Sequence, residues 1–213
     1  MSVGDIFSKL LIVLSVVLAV LYMRYFKQRG KAYKFFASYL VLVAIIQIWM
    51  SWYATYKWNN LFLSHFYFIG QFIFLSLFYY TLLQKKWILW ILGATLIGLT
   101  LQYIVNPEMF FVFNTYGMST TQTILVIYAL LYFYKSLTYQ GAFLYINTGI
   151  LFYLITSILY FASFNFFLEW DFDRKLEDYI YRLHQTLYFI FEILIFIEWY
   201  KNYRLPRDTV SNA

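Results

Sequence analysis

The chain has no cysteine among its 213 residues. That excludes disulfides, thiolate metal sites, cysteine nucleophiles and S-acylation. Charge is scarce as well. Only 12% of residues are charged and 63% are hydrophobic, whereas a soluble domain usually carries about 25% charged residues. A water-soluble fold would have to hide an apolar surplus larger than a core of this size can hold, so a mean hydropathy of +0.64 points to lipid. There are two prolines, Pro107 and Pro206. Both fall outside the long apolar runs, so no spanning helix is broken by proline. The sequence also lacks an HExxH motif, a GxSxG motif and a phosphate-binding glycine loop, the usual arrangements for metal-assisted, acyl-transfer and phosphoryl chemistry. Neither an enzyme nor a cofactor is expected.

Aromatics are plentiful instead, at 25% of the chain. Tyr and Trp favour membrane–water interfaces, where one end of the side chain is apolar and the other can hydrogen-bond. A spanning helix needs about 20 mainly apolar residues. Such runs occur at Ile6–Met23, Phe35–Tyr53, Leu61–Leu83, Trp87–Val105, Thr120–Tyr134, Ala142–Phe167 and Leu183–Tyr200. The fifth is short unless it extends past Lys135 toward Tyr139. The runs are continuous rather than alternating, which indicates helices and not a barrel. The expected fold is therefore all-α, a polytopic transmembrane helical bundle of about seven helices over residues 1–200. A short basic tail follows at 201–213, with no attached kinase domain. The first run lacks a basic n-region and a cleavage pattern, so it reads as a retained helix and not a signal peptide.

The formal net charge of +6 does not imply nucleic acid, because the basic residues gather in short loops beside apolar runs. One side receives eleven of them, Arg24 to Lys34, Lys85, Lys86, Lys135, Lys201, Arg204 and Arg207. The other receives five, Lys9, Lys57, Arg174, Lys175 and Arg182. The positive-inside rule then predicts an outer N-terminus and a cytoplasmic C-terminus. Glu169, Asp171, Asp173, Glu177 and Asp178 crowd the outer connection before the last span. That stretch reads as a solvated loop, or as a short amphipathic helix on the outer surface able to attract a cation or a basic partner.

Polar residues within the spans mark where chemistry can live. Glu192 lies near the middle of the last run. It reads either as a proton, cation or ligand site, or as a carboxyl bonded to another helix with Gln47, Gln71 or Thr156 as partner. Ser64, Tyr67 and Gln71 form one stripe on the third span, and Gln185, Tyr188 and Glu192 form its counterpart on the seventh. His65 and His184 fall near the outer ends of those spans, where a pH-responsive role is open to them. Two imidazoles with Glu169 would make a metal site, but no ligand spacing supports one. Span six carries Gly149, Tyr153, Thr156, Tyr160 and Ser163 on one face, suited to close packing or to lining a cavity. Spans one and four read as scaffold, and Glu198 as hydrated near the cytoplasm.

The match of Tyr67–Gln71 with Tyr188–Glu192 admits a 3+1+3 arrangement, in which spans 1–3 and 5–7 are parallel repeats. Seven-helix sugar transporters have this layout but carry prolines inside their repeat helices, which this chain does not. Rhodopsin-type proteins need a lysine deep in the last helix, and seven-helix zinc hydrolases need several histidines; neither is present. Asn59-Asn60-Leu61-Phe62-Leu63-Ser64-His65 running into Gln71, with the layout of all seven spans, resembles small bacterial seven-helix membrane proteins related to the input modules of membrane histidine kinases. The resemblance assigns no functional residue. It implies a multi-pass protein of the bacterial inner (cytoplasmic) membrane. The polar stripes, the acidic outer segment and the short tail point to a sensory or accessory protein that binds a ligand, a lipid or a cytoplasmic or membrane protein partner, with any signal passing to a separate protein. Two alternatives stand beside it: a small-solute or proton-coupled transporter using Glu192, and a structural subunit of a membrane complex.

Overall fold

A computed structural model describes residues 3–138, 141–169 and 174–205, with side chains for 6–138, 141–161 and 179–205. Seven α-helices follow one another: α1 (Val3–Met23), α2 (Lys31–Thr55), α3 (Leu61–Leu83), α4 (Trp87–Val105), α5 (Thr115–Ser136), α6 (Leu144–Glu169) and α7 (Arg174–Asn202). No strand occurs among the described residues. Six of the helices are long and apolar enough to cross a membrane. The chain is an all-α, multi-pass membrane protein.

The exception is α5. Its 22 residues would reach about 33 Å at 1.5 Å per residue, so length is not what it lacks. Its first turns, Thr115–Gln122, are polar. It also gains length at its N-terminal end and not toward Tyr139. Asn114 caps it by accepting from the Gly117 N–H at 2.9 Å, which starts the helix well before Thr120. Within it, Thr121 donates to the carbonyls of Gly117 at 2.9 Å and Met118 at 3.0 Å. Such back-bonds satisfy hydroxyls without a second helix.

Six helices form a closed ring in the order α1, α2, α3, α5, α6, α7 and back to α1, while α4 rests chiefly against α3 at the periphery. That position fits the composition of α4, which buries only Ile88 and Leu99 and leaves Trp90, Ile97, Ile104 and Val105 exposed. The ring is filled on the side of the α1–α2 and α3–α4 connections by Phe36, Tyr39, Phe72, Phe78 and Tyr79, all buried. Gly149 lets α6 approach α7, because a Cβ there would collide with the ring of Phe191.

The first and last helices run parallel in a fixed register. Gln185 donates to Ser8 at 3.0 Å. Seven residues on, Ser15 donates to Glu192. Further along, Tyr22 donates to the Ile195 carbonyl at 3.0 Å and the Trp199 indole to the Leu21 carbonyl at 3.2 Å. The seven-residue step keeps each contact on the same seam of two packed helices. Helix α1 is thus more than scaffold.

Two expectations are corrected here. The acidic segment is not a separate surface helix, because Arg174–Arg182 forms the first turns of α7. The side chains of Ser163, Glu169, Arg174, Lys175, Glu177 and Asp178, with Asp171 and Asp173, lie outside the described residues, as do Gln140 and residues 206–213. Glu198 is not hydrated but fully buried. Its carboxylate accepts from the N–H groups of Phe143 at 3.1 Å and Tyr145 at 3.0 Å, and from Asn202 at 2.7 Å. It therefore supplies, from α7, the cap that the start of α6 needs. Phe143 holds a φ of 71° there, a left-handed turn that aims its N–H at the carboxylate.

Candidate functional site

The α2–α3 and α4–α5 connections lie at the same end of the bundle as the starts of α1 and α7. Just inside that end, α2, α3, α5, α6 and α7 enclose a cavity of about 330 Å³. Aromatic rings make most of its wall. Tyr153 of α6 stacks on Phe191 of α7 with centroids 5.4 Å apart, and His184 lies flat on Tyr160 at 5.1 Å. Phe113 and Phe161 stack at 5.0 Å to close the α5–α6 side. Among these rings stand a few polar groups, Gln47, Ser64, Gln185 and the hydroxyls of Tyr67 and Tyr188. A mainly apolar pocket with few, placed hydrogen-bonding groups is the usual form of a small-molecule site.

A second hollow of about 570 Å³ lies between α1, α2 and α7, lined by Ser8, Lys9, Ser51 and Thr55 among others. It shares Leu11, Gln47, Met50, Tyr181, Gln185 and Tyr188 with the first. The two therefore lie side by side, with the Gln47–Tyr188 hydrogen bond between them.

Tyr188 is the floor between the cavity and the carboxyl of Glu192. Its hydroxyl accepts from Gln47 at 2.7 Å and lies 3.0 Å from Ser15. Ser15 in turn donates to Glu192, whose other oxygen is buried with no hydrogen-bond partner. The chain Gln47–Tyr188–Ser15–Glu192 thus links cavity to carboxyl across α2, α7 and α1. On the opposite wall, the Tyr67 and Tyr153 hydroxyls are 3.0 Å apart. Gln71 lies deeper and donates to Tyr39 at 3.2 Å.

Among the residues singled out from the sequence, Ser64, Tyr67, Tyr153, His184, Gln185 and Tyr188 come together around this cavity. Glu192 sits one turn beyond it. His65 does not join them, and the two histidines are held by different elements. The His65 ring nitrogens lie 2.6 Å from the Tyr103 hydroxyl and 3.0 Å from the Val112 carbonyl, with Phe110 stacked on its face. His65 pins the α4–α5 connection to α3. Thr156 turns back to its own helix, donating to the carbonyls of Phe152 and Tyr153. No three His, Asp or Glu side chains converge on a metal position among the described residues.

The partner of Glu192 is none of Gln47, Gln71 and Thr156. Ser15 carries a faint signal in the sequence, since Ser8, Ser15 and Tyr22 are the polar groups of α1 at seven-residue spacing. Phe113, Phe161 and Tyr181 give no signal, because nothing distinguishes them from the many interfacial aromatics. In comparison with known proteins, the chain matches no family model, and no curated protein or solved structure is similar to it.

Proposed function

We infer that this chain is a sensory or accessory protein of the bacterial inner membrane that binds a small amphipathic ligand in the cavity between α2, α3, α5, α6 and α7. The observation that carries the reading is the floor of that cavity. A ligand group bonded to Gln47 or Tyr188 competes for the hydrogen bonds that Tyr188 shares with Ser15, and through Ser15 it acts on the α1–α7 seam. The apolar body of the ligand would lie among Tyr153, Phe161 and Phe113, and the hollow between α1, α2 and α7 would admit it from the lipid. The dense filling by Phe36, Tyr39, Phe72 and Phe78 beyond the floor favours binding over passage.

The eleven-to-five distribution of basic residues supports seven crossings, with the cavity outside and the basic face in the cytoplasm. A partner protein would read that face, in keeping with the resemblance to kinase input modules. The ring order α1–α2–α3–α5–α6–α7 is compatible with a parallel 3+1+3 repeat, with α4 as the odd helix.

Purified protein is expected to retain a small molecule from its membrane, read as added mass by native mass spectrometry. Tyr188→Phe and Gln47→Leu are expected to lose it, while Lys57→Gln keeps it. No retained mass, combined with solute flux in proteoliposomes made from the pure protein, would overturn the reading. That outcome would favour a proton-coupled carrier, for which the unpartnered oxygen of Glu192 is the specific observation. In a carrier, Glu192→Gln should abolish flux.

A further inference from the structure

A second groove lies at the other end of the bundle and does not depend on the reading above. It measures about 530 Å³ and runs between the α3–α4 turn and the last turns of α5. Leu83, Trp87 and Leu131 form its apolar part, and Lys85, Lys135 and Tyr134 its rim. Trp87 stands edge-on to Tyr128 of α5, centroids 5.6 Å apart, and so fixes one wall. Leu131, Tyr134 and Trp87 are exposed on a face that no other described helix covers.

Three features agree on the occupant. Tyr and Trp side chains mark the depth of lipid headgroups. The lysines bring two positive charges to that depth, and Lys86 adds a third exposed one beside them. Lys135 uses one donor on the Leu82 carbonyl at 2.8 Å, which fixes the ammonium in place while leaving two N–H groups. No acid among the described residues offsets them. The only acidic residue described at this end is Glu198, which is buried and bonded to Phe143, Tyr145 and Asn202. We propose that this groove binds an anionic phospholipid, its phosphate between Lys85 and Lys135 and an acyl chain along Trp87 and Leu131. A zwitterionic lipid would bring its own cation to the lysines and gain little.

The test is native mass spectrometry of the detergent-solubilised full chain with equimolar palmitoyl-oleoyl phosphatidylglycerol and phosphatidylcholine. Preferential retention of one phosphatidylglycerol is expected. Attraction of about 1 kcal/mol per lysine near an anionic surface corresponds to roughly fivefold each. Lys85→Gln/Lys135→Gln should therefore weaken phosphatidylglycerol retention about thirtyfold, leaving phosphatidylcholine unchanged, and Lys57→Gln should have no effect. Lys85→Gln alone, which disturbs no helix contact, should show the single-lysine effect, and added salt should release the lipid from the wild type. Equal retention of the two lipids overturns the proposal. So does a phosphatidylglycerol preference that survives both Lys85→Gln and the double variant.

Discussion

The hydroxyl of Ser15 on α1 donates to the carboxyl of Glu192 on α7, residues 177 positions apart in the chain. The bond joins the most apolar of the spans to an acid at membrane depth. Ser15→Ala leaves that carboxyl without its donor, and an unsatisfied buried polar group costs about 1–3 kcal/mol. The melting temperature in detergent should fall by about 2–4 °C per kcal/mol for a chain of this size. Glu192→Gln should lose less than Ser15→Ala, since the amide oxygen still accepts from Ser15 and the N–H₂ takes the place of an oxygen that already has no partner. A Glu192→Gln protein as unstable as Ser15→Ala would contradict this geometry.

The same isosteric change at Glu198 should behave differently. Both of its oxygens accept backbone N–H groups, Oε1 from Phe143 and Oε2 from Tyr145. Glu198→Gln must turn an N–H₂ toward one of them and leave that donor unpaired, at a cost of about 1–3 kcal/mol. Hydrogen exchange should quicken at the Phe143 and Tyr145 amides while that of α3 stays unchanged. Equal exchange in variant and wild type would show that the cap is dispensable.

Two glycines should respond in opposite ways. A methyl at Gly149 meets Phe191, whereas nothing lies within 4 Å of a methyl at Gly98. Gly149→Ala should destabilise by about 1–3 kcal/mol through overpacking, and Phe191→Leu in the same chain should recover part of the loss. Gly98→Ala should be neutral or stabilising by up to about 1 kcal/mol, from helix propensity. Thermal melts of the four proteins decide it.

How much of this was readable in the sequence depends on which surface each helix faces. Helices α3 and α4 keep the limits that their apolar runs predicted, Leu61–Leu83 and Trp87–Val105, because polar turns bound both. Helix α5 did not, because hydropathy measures fitness for lipid and α5 is packed between α3 and α6. Thr115, Thr121 and Gln122 are buried against protein, so the helix reads as short although it is not. Tyr188 and Gln185 were legible as a stripe, since one helix supplies both. Ser15 was only faintly legible, through its seven-residue spacing from Ser8 and Tyr22, because a hydroxyl in an apolar run acquires its full meaning from a partner at the far end of the chain. Glu198 was misread for a related reason: position along the helix gave its depth, but not the α6 backbone folded over it.

The lack of native cysteine makes the crossings directly testable. Single cysteines at the exposed positions Lys57 and Glu108 should react with a membrane-impermeant maleimide added to the outer face of sealed membranes. Cysteines replacing Lys27, Lys85 or Thr138, also exposed, should react only after permeabilisation. Glu108 and Thr138 flank α5, so labelling of both from the same side would mean that α5 does not cross.

The α1–α7 seam also sets a timetable for assembly. Ser8 and Ser15 belong to α1, which is made before the other six helices described, while Gln185 and Glu192 arrive with α7. A ribosome adding about 5–20 residues per second needs about 9–35 seconds to cover the 177 residues between Ser15 and Glu192. The ring, in which α1 packs on both α2 and α7, closes only when α7 has been delivered.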